Sequence, residues 1–136
     1  MDEKKRPRPA KINCDTIQWG SVDGSSKKLR VRRLITRERH GSELLLGVAS
    51  LDPGLETGGW SFKSENDTKP GEVWYGIREE VYYCIRGRLT LTWEEGEIEF
   101  GPNDGVYLAP GWHYYKLTNT GDEPAFFVYS MYPSPK

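Results

Sequence analysis

Histidine and cysteine are scarce in this chain, with two of each among 136 residues. His40 and His113 cannot build the three-histidine metal sites that many small enzymes use. Cys14 and Cys84 cannot supply a disulfide framework or a four-cysteine zinc site. Any metal site must therefore mix residue types. Long apolar runs are missing too: Leu44–Ala49 is among the longest, far short of the ~20 residues a membrane helix needs. No apolar stretch follows Lys4–Arg6, so no secretory leader is expected. A cytoplasmic protein with reduced thiols is the expectation. Nor is there an excess of either charge: 19 basic residues face 20 acidic ones, a net of −1. The whole chain thus lacks the basic surplus of a nucleic-acid binder. Its length suits one domain.

The average hides an asymmetry. Residues 1–39 hold 12 Lys/Arg against 5 Asp/Glu, and residues 40–136 hold 7 against 15. The basic run from Lys27 to Arg39 reads as a solvated strand face. Its alternative, a phosphate-facing patch on nucleic acid, lacks interleaved aromatics. Met1–Ala10 is charged and carries Pro7 and Pro9, as a loosely attached arm would. The expected organisation is a basic, partly disordered arm over residues 1–28 and a β domain over 29–136.

Turn signals punctuate the rest: Asp23-Gly24, Asp52-Pro53-Gly54, Gly58-Gly59, Arg86-Gly87, Glu95-Gly96, Gly101-Pro102-Asn103-Asp104-Gly105, Pro110-Gly111 and Asn119-Thr120-Gly121-Asp122. Between them lie short runs rich in β-branched and aromatic residues. Strands are expected near 29–35, 43–51, 59–63, 73–75, 80–85, 88–93, 97–100, 105–108, 114–118 and 125–131. In the fifth of these, Glu80, Tyr82 and Cys84 share one face, and Val81, Tyr83 and Ile85 share the other. Both sets are partly apolar, which predicts cover on both sides, as for an interior strand of a small barrel whose inner face lines a cavity. The fold class expected is all-β.

One stretch carries chemistry. Glu80-Val81-Tyr82-Tyr83-Cys84-Ile85-Arg86-Gly87 places a carboxylate seven residues before a turn glycine. Then Gly101-Pro102-Asn103-Asp104-Gly105 leads a strand to Pro110-Gly111-Trp112-His113. This order resembles the two motifs of the cupin superfamily over about residues 44–132. The resemblance implies a double-stranded β-helix, a jelly-roll barrel, and pairing of two copies as a homodimer. The stations where that family places an H-x-H pair are Trp74 and Gly76, or Val73 and Tyr75 with one extra loop residue. Pro110-Gly111 to His113 is one residue shorter than common, so either His113 or Tyr114 can face inward.

A narrower resemblance accounts for the missing pair. Trp74-Tyr75, Glu80, Tyr83-Cys84-Ile85 and Gly87 are similar to the matching segment of the ectoine synthase family, metal-dependent cupin cyclases without the H-x-H. That resemblance implies a metal held by Glu80, Tyr107 and His113, with two residues fewer between the last two. Such a carboxylate–phenolate–imidazole set suits a divalent transition metal, Fe, Zn or Mn. A metal there would polarise a ligand carbonyl or carboxylate.

Each residue also has a plainer reading. Glu80 can pair with Arg86 or Arg88, His113 can be a rim histidine, and Tyr107 a rim aromatic. Tyr75 and Tyr82 are the candidates for proton transfer. Trp60, Trp74, Trp112 and Tyr115, together with Tyr129, are candidates for a cavity wall that receives a small-molecule substrate. The function expected is a metal-dependent cyclase, dehydratase, lyase or isomerase acting on a small polar metabolite. Its alternatives are a metal-dependent dioxygenase, and a metal-free or non-catalytic ligand-binding barrel.

Overall fold

The computed structural model describes residues 7–21, 28–63 and 73–135. The arm expected over residues 1–28 lies partly outside them. Within it, Asn13 caps a short 3-10 turn (Cys14–Thr16), its side chain accepting from the Asp15 N–H at 2.8 Å. The first strand follows as β1 (Gly20–Ser21).

The chain continues as β2 (Arg30–Ile35), a four-residue helix α1 (Arg37–His40), β3 (Leu45–Leu51), β4 (Trp60–Ser61), β5 (Val73–Trp74) and β6 (Glu79–Arg86). Then come β7 (Leu89–Trp93), β8 (Gly96–Phe100), β9 (Gly105–Leu108), β10 (His113–Asn119) and β11 (Ala125–Tyr132). Two sheets result, ordered β1-β2-β3-β11-β6-β9 and β5-β4-β10-β7-β8. The ten strands expected from alternation and turns are present within a few residues at each end. Short β1 and α1 carry no periodic signal and fall outside that expectation. Among the described residues, no helix is long and apolar enough to cross a membrane.

The two sheets close over one apolar core that includes Leu45, Leu51, Phe62, Leu89, Leu117 and Phe127, all essentially buried. The connections are fixed locally. Gly87 turns β6 into β7 at φ +86°, and a Cβ there would lie 2.7 Å from the Cα of Ala125, so only glycine fits. Asn119 is buried at the β10 end. Its Nδ2 donates to the carbonyls of Leu51 and Glu123 (2.8 Å each), and its Oδ1 accepts from the Gly121 N–H. One side chain thereby ties three segments and leaves no buried amide atom unmet.

β6 alternates as its sequence predicts. Glu80, Tyr82 and Cys84 are buried, facing inward. The outward set differs from expectation: Val81, Tyr83 and Ile85 are 45%, 48% and 45% exposed. Apolar character on both faces implied cover on both, yet the second sheet covers only the inner one.

Candidate active site

The site is built on rungs that cross the larger sheet. Pairing sets Arg33 opposite Gly47, Gly47 opposite Tyr129, Tyr129 opposite Tyr82, and Tyr82 opposite Val106. The next rung sets Leu45 opposite Met131, Met131 opposite Glu80, and Glu80 opposite Leu108. Arg33, Tyr82, Tyr129, Glu80 and Met131 line one cavity inside the barrel. Its far wall comes from Trp60, Val73, Tyr75 and Leu117. The space open to the centres of water-sized molecules is about 60 Å³, enough for several waters or a compact polar group.

Glu80 is 6% exposed. One oxygen, Oε1, accepts from the Tyr82 phenol at 3.2 Å. Burial disfavours the carboxylate and pushes its pKa from 4.5 up to about 8, while the Tyr82 bond and the nearby Arg33 charge pull the other way. At neutral pH the carboxyl thus carries its proton most of the time and sheds it readily. Burial also pushes the phenols of Tyr82 and Tyr129 above their ordinary range, so both stay neutral hydrogen-bonding groups. Arg33 Nε donates to the Tyr129 hydroxyl at 3.3 Å. Gly47 allows this, because a Cβ there would lie 2.7 Å from the Tyr129 ring. The indole Nε1 of Trp60 is buried and has no hydrogen-bond partner among the described residues. A buried donor without an acceptor suits a ligand oxygen.

The structure brings together Glu80, Tyr82, Tyr75 and Trp60. It does not bring Tyr107 or His113 to them. Tyr107 lies opposite Val81 on the outer face, 60% exposed, and its hydroxyl donates to Glu79 Oε2 at 2.7 Å. The reason is parity: Tyr107 sits one residue from inward Leu108 and Val106. At the start of β10, Tyr114 is the inward residue. It stacks on Trp60 at 5.6 Å between centroids, meets Phe62 edge-on at 5.4 Å, and donates to the Ala109 carbonyl at 2.8 Å. His113 takes the opposite face. It is buried there against Tyr115 at 4.6 Å, with its backbone N–H on Glu94 Oε1 at 3.1 Å. Glu94 also pairs with Lys63.

Of the expected wall residues, Trp74, Trp112 and Tyr115 do not line the cavity. Trp74 is 45% exposed and its indole donates to the Lys63 carbonyl at 2.9 Å. Trp112 packs at the edge of the core. Arg33 is the site residue that the sequence alone did not reveal. It stands inside a basic run that reads as solvated; that holds for Arg30, which pairs with Asp52 at the surface, but not for Arg32, whose mostly buried side chain lies over Trp19 and pairs with Asp15. The available signal was its two-residue spacing from buried Val31.

No family model matches the chain. A curated glucose-6-phosphate isomerase from Thermococcus onnurineus is 37% identical over 62 residues, covering 42% of this chain and 32% of that protein. The likeness therefore spans about a third of the relative's length. A predicted oxalate decarboxylase from Thermotoga maritima superposes with a TM-score of 0.70 at 15% identity, over 91% of this chain and 99% of that one. The chain therefore has the fold of the cupins, an all-β jelly-roll barrel. Ectoine synthase from P. lautus superposes with a TM-score of 0.65 at 20% identity, over 92% and 78% of the two chains.

The cupin resemblance implies a metal, and the donor set can be tested against one. Among the described residues, no three His, Cys, Asp or Glu side chains lie where they would hold an ion. The cavity offers one carboxyl, neutral phenols and, in Arg33, a fixed positive charge. A divalent cation would meet a single anionic ligand beside a like charge. The described residues of this cavity do not fit it. Tyr107→Phe is accordingly expected to leave the urea midpoint nearly unchanged and ligand binding in the cavity intact.

Proposed function

We propose that the barrel cavity is a metal-free acid–base site acting on a small polar carbonyl compound, with Glu80 as the proton-transferring group. The observation that carries this reading is a buried carboxyl, poised near neutral pH, inside a cavity that also presents neutral donors. An acid–base group works best with its pKa close to the working pH. In its ionised fraction Glu80 takes a proton from the carbon beside a substrate carbonyl. The electron pair of that C–H bond moves into the carbon framework and negative charge gathers on the carbonyl oxygen. The Trp60 N–H, a wall donor with the Tyr75 phenol beside it, would stabilise that oxygen, while the single Tyr82 O–H stays on Glu80. Where the carbon that lost its proton bears a hydroxyl, Glu80 then returns the proton to the former carbonyl carbon while the hydroxyl proton passes to the former carbonyl oxygen; the C=O moves by one carbon, an isomerisation with no oxidant or reductant. Loss of a leaving group instead would make the step a lyase reaction. The partial likeness to an isomerase supports the first form.

The test is a carboxyl 13C titration by NMR, with Glu80 assigned by the signal lost in Glu80→Gln. A midpoint near 8 is expected; a midpoint in the ordinary carboxylate range would remove the basis of the reading.

A further inference from the structure

A second space, of about 380 Å³, lies against β1, β2 and α1 and is lined in part by Gln18, Thr36, Arg37, Glu38 and Arg39. Val31 and Arg33 line both this groove and the Glu80 cavity. Arg33 therefore stands at the boundary of the two.

The charges of the groove are unevenly met. Arg37 forms two bonds to the Glu43 carboxylate, at 3.0 and 3.3 Å, and a third to the Ser134 carbonyl. Arg39 donates to the carbonyls of Arg33 and Leu34, and Glu38 lies along the same groove. Among the described residues Arg33 has only the Tyr129 hydroxyl as a hydrogen-bond partner, and no carboxylate of theirs forms an ion pair with it. A guanidinium keeps its charge in every protein environment and carries five N–H donors. One donor is used here. Arg33 is half-buried, and even partial withdrawal of such a group from water without an anion is unfavourable. Glu80, protonated most of the time at neutral pH, is an incomplete counter-ion.

We propose that Arg33 is an anion clamp: it holds the oxyanion of a small organic acid or phosphate ester on its groove side, while the carbonyl end of the same molecule reaches Glu80. The second half rests on the acid–base reading of Glu80; the first does not. A two-chamber arrangement also fits the small volume beside Glu80, which receives only the reacting end of a substrate. The substrate class becomes a compact anionic carbonyl or hydroxy-carbonyl compound. Charge-assisted, forked hydrogen bonds from a guanidinium are the usual means of holding such a group in register.

Sulfate is a suitable probe, since its charge is constant around neutral pH. The full chain is titrated with sulfate while the Arg33 Nε–H and Trp60 Nε1–H signals are followed by NMR. Saturable movement of the Arg33 signal is expected, with affinity falling at least about tenfold in Arg33→Met. Arg33→Lys should keep part of the affinity, and serves if the methionine variant does not fold. Equal sulfate affinity in the wild type and both variants would overturn the proposal, as would no saturation below about 100 mM. The Glu80 titration in the same sample separates the two readings. Absent sulfate binding with a Glu80 midpoint near 8 removes the clamp alone; an ordinary midpoint with Arg33-dependent sulfate binding removes the acid–base reading and keeps the clamp.

Discussion

Glu80→Gln is expected to remove a large pH dependence of folding stability. In the unfolded chain this carboxyl loses its proton near 4.5, and in the barrel only near 8. Between those values the folded state holds a proton that the unfolded state has released. Raising the pH through that window therefore favours unfolding. The contribution is fully present below about 4.5, is lost as pH climbs to about 8, and is flat above. Each pH step of one across that window removes about 1.4 kcal/mol, so the whole loss is on the order of 5 kcal/mol. Glutamine keeps the shape and the hydrogen bond to Tyr82 but cannot ionise. Urea unfolding across about pH 5 to about pH 9 should show a steep decline for the wild type and a shallow one for the variant. Parallel declines would mean that Glu80 does not hold its proton. The same substitution removes the only carboxyl among the described residues lining the cavity. Turnover of a carbonyl substrate should therefore fall by at least about a hundredfold.

Gly47→Ala is expected to cost about 2–3 kcal/mol, lowering the melting temperature by roughly 5–10 °C. The new methyl carbon would lie 2.7 Å from two atoms of the Tyr129 ring and 2.9 Å from its hydroxyl. The ring is buried, so it moves only by disturbing the cavity wall or its contact with Arg33. Removing the ring should relieve the clash. In a double-mutant cycle with Tyr129→Leu, calorimetric melting should show a favourable coupling of at least about 1 kcal/mol. Additive effects would mean that the glycine matters for some reason other than the tyrosine above it.

Much of the barrel is legible in the sequence because turn chemistry and two-residue alternation are local. Gly87 and Asn119 mark bends that the structure places where their residue types require. Glu80 and Tyr82 were readable as partners on one face of β6. The composition of the cavity was less legible. Tyr107 and His113 each sit one residue away from inward positions, and motif spacing alone does not resolve that parity. A bulge between Tyr114 and Lys116 adds a further irregularity beside His113. Arg33 was hidden for another reason: its role depends on Gly47 and Tyr129, which meet it only when β2, β3 and β11 align. Nothing local in the sequence distinguishes it from the other arginines of the basic run.

The alternation of β6 carries a consequence for how this barrel tolerates change. Odd-numbered positions from Glu79 to Ile85 look outward, and even-numbered positions put Glu80 and Tyr82 inside the barrel. Substitutions at 81, 83 and 85 are thus free to alter the molecule's exterior without touching its chemistry. Insertions are another matter. One residue gained between Arg78 and Glu80, if taken up as a one-residue slip of β6 against β11, would turn Glu80 and Tyr82 out into water and bring Val81 and Tyr83 in. The loop ahead of the strand can vary in length only if the strand's frame stays fixed, so the heritable specification of this site lies as much in a count of residues as in their identities.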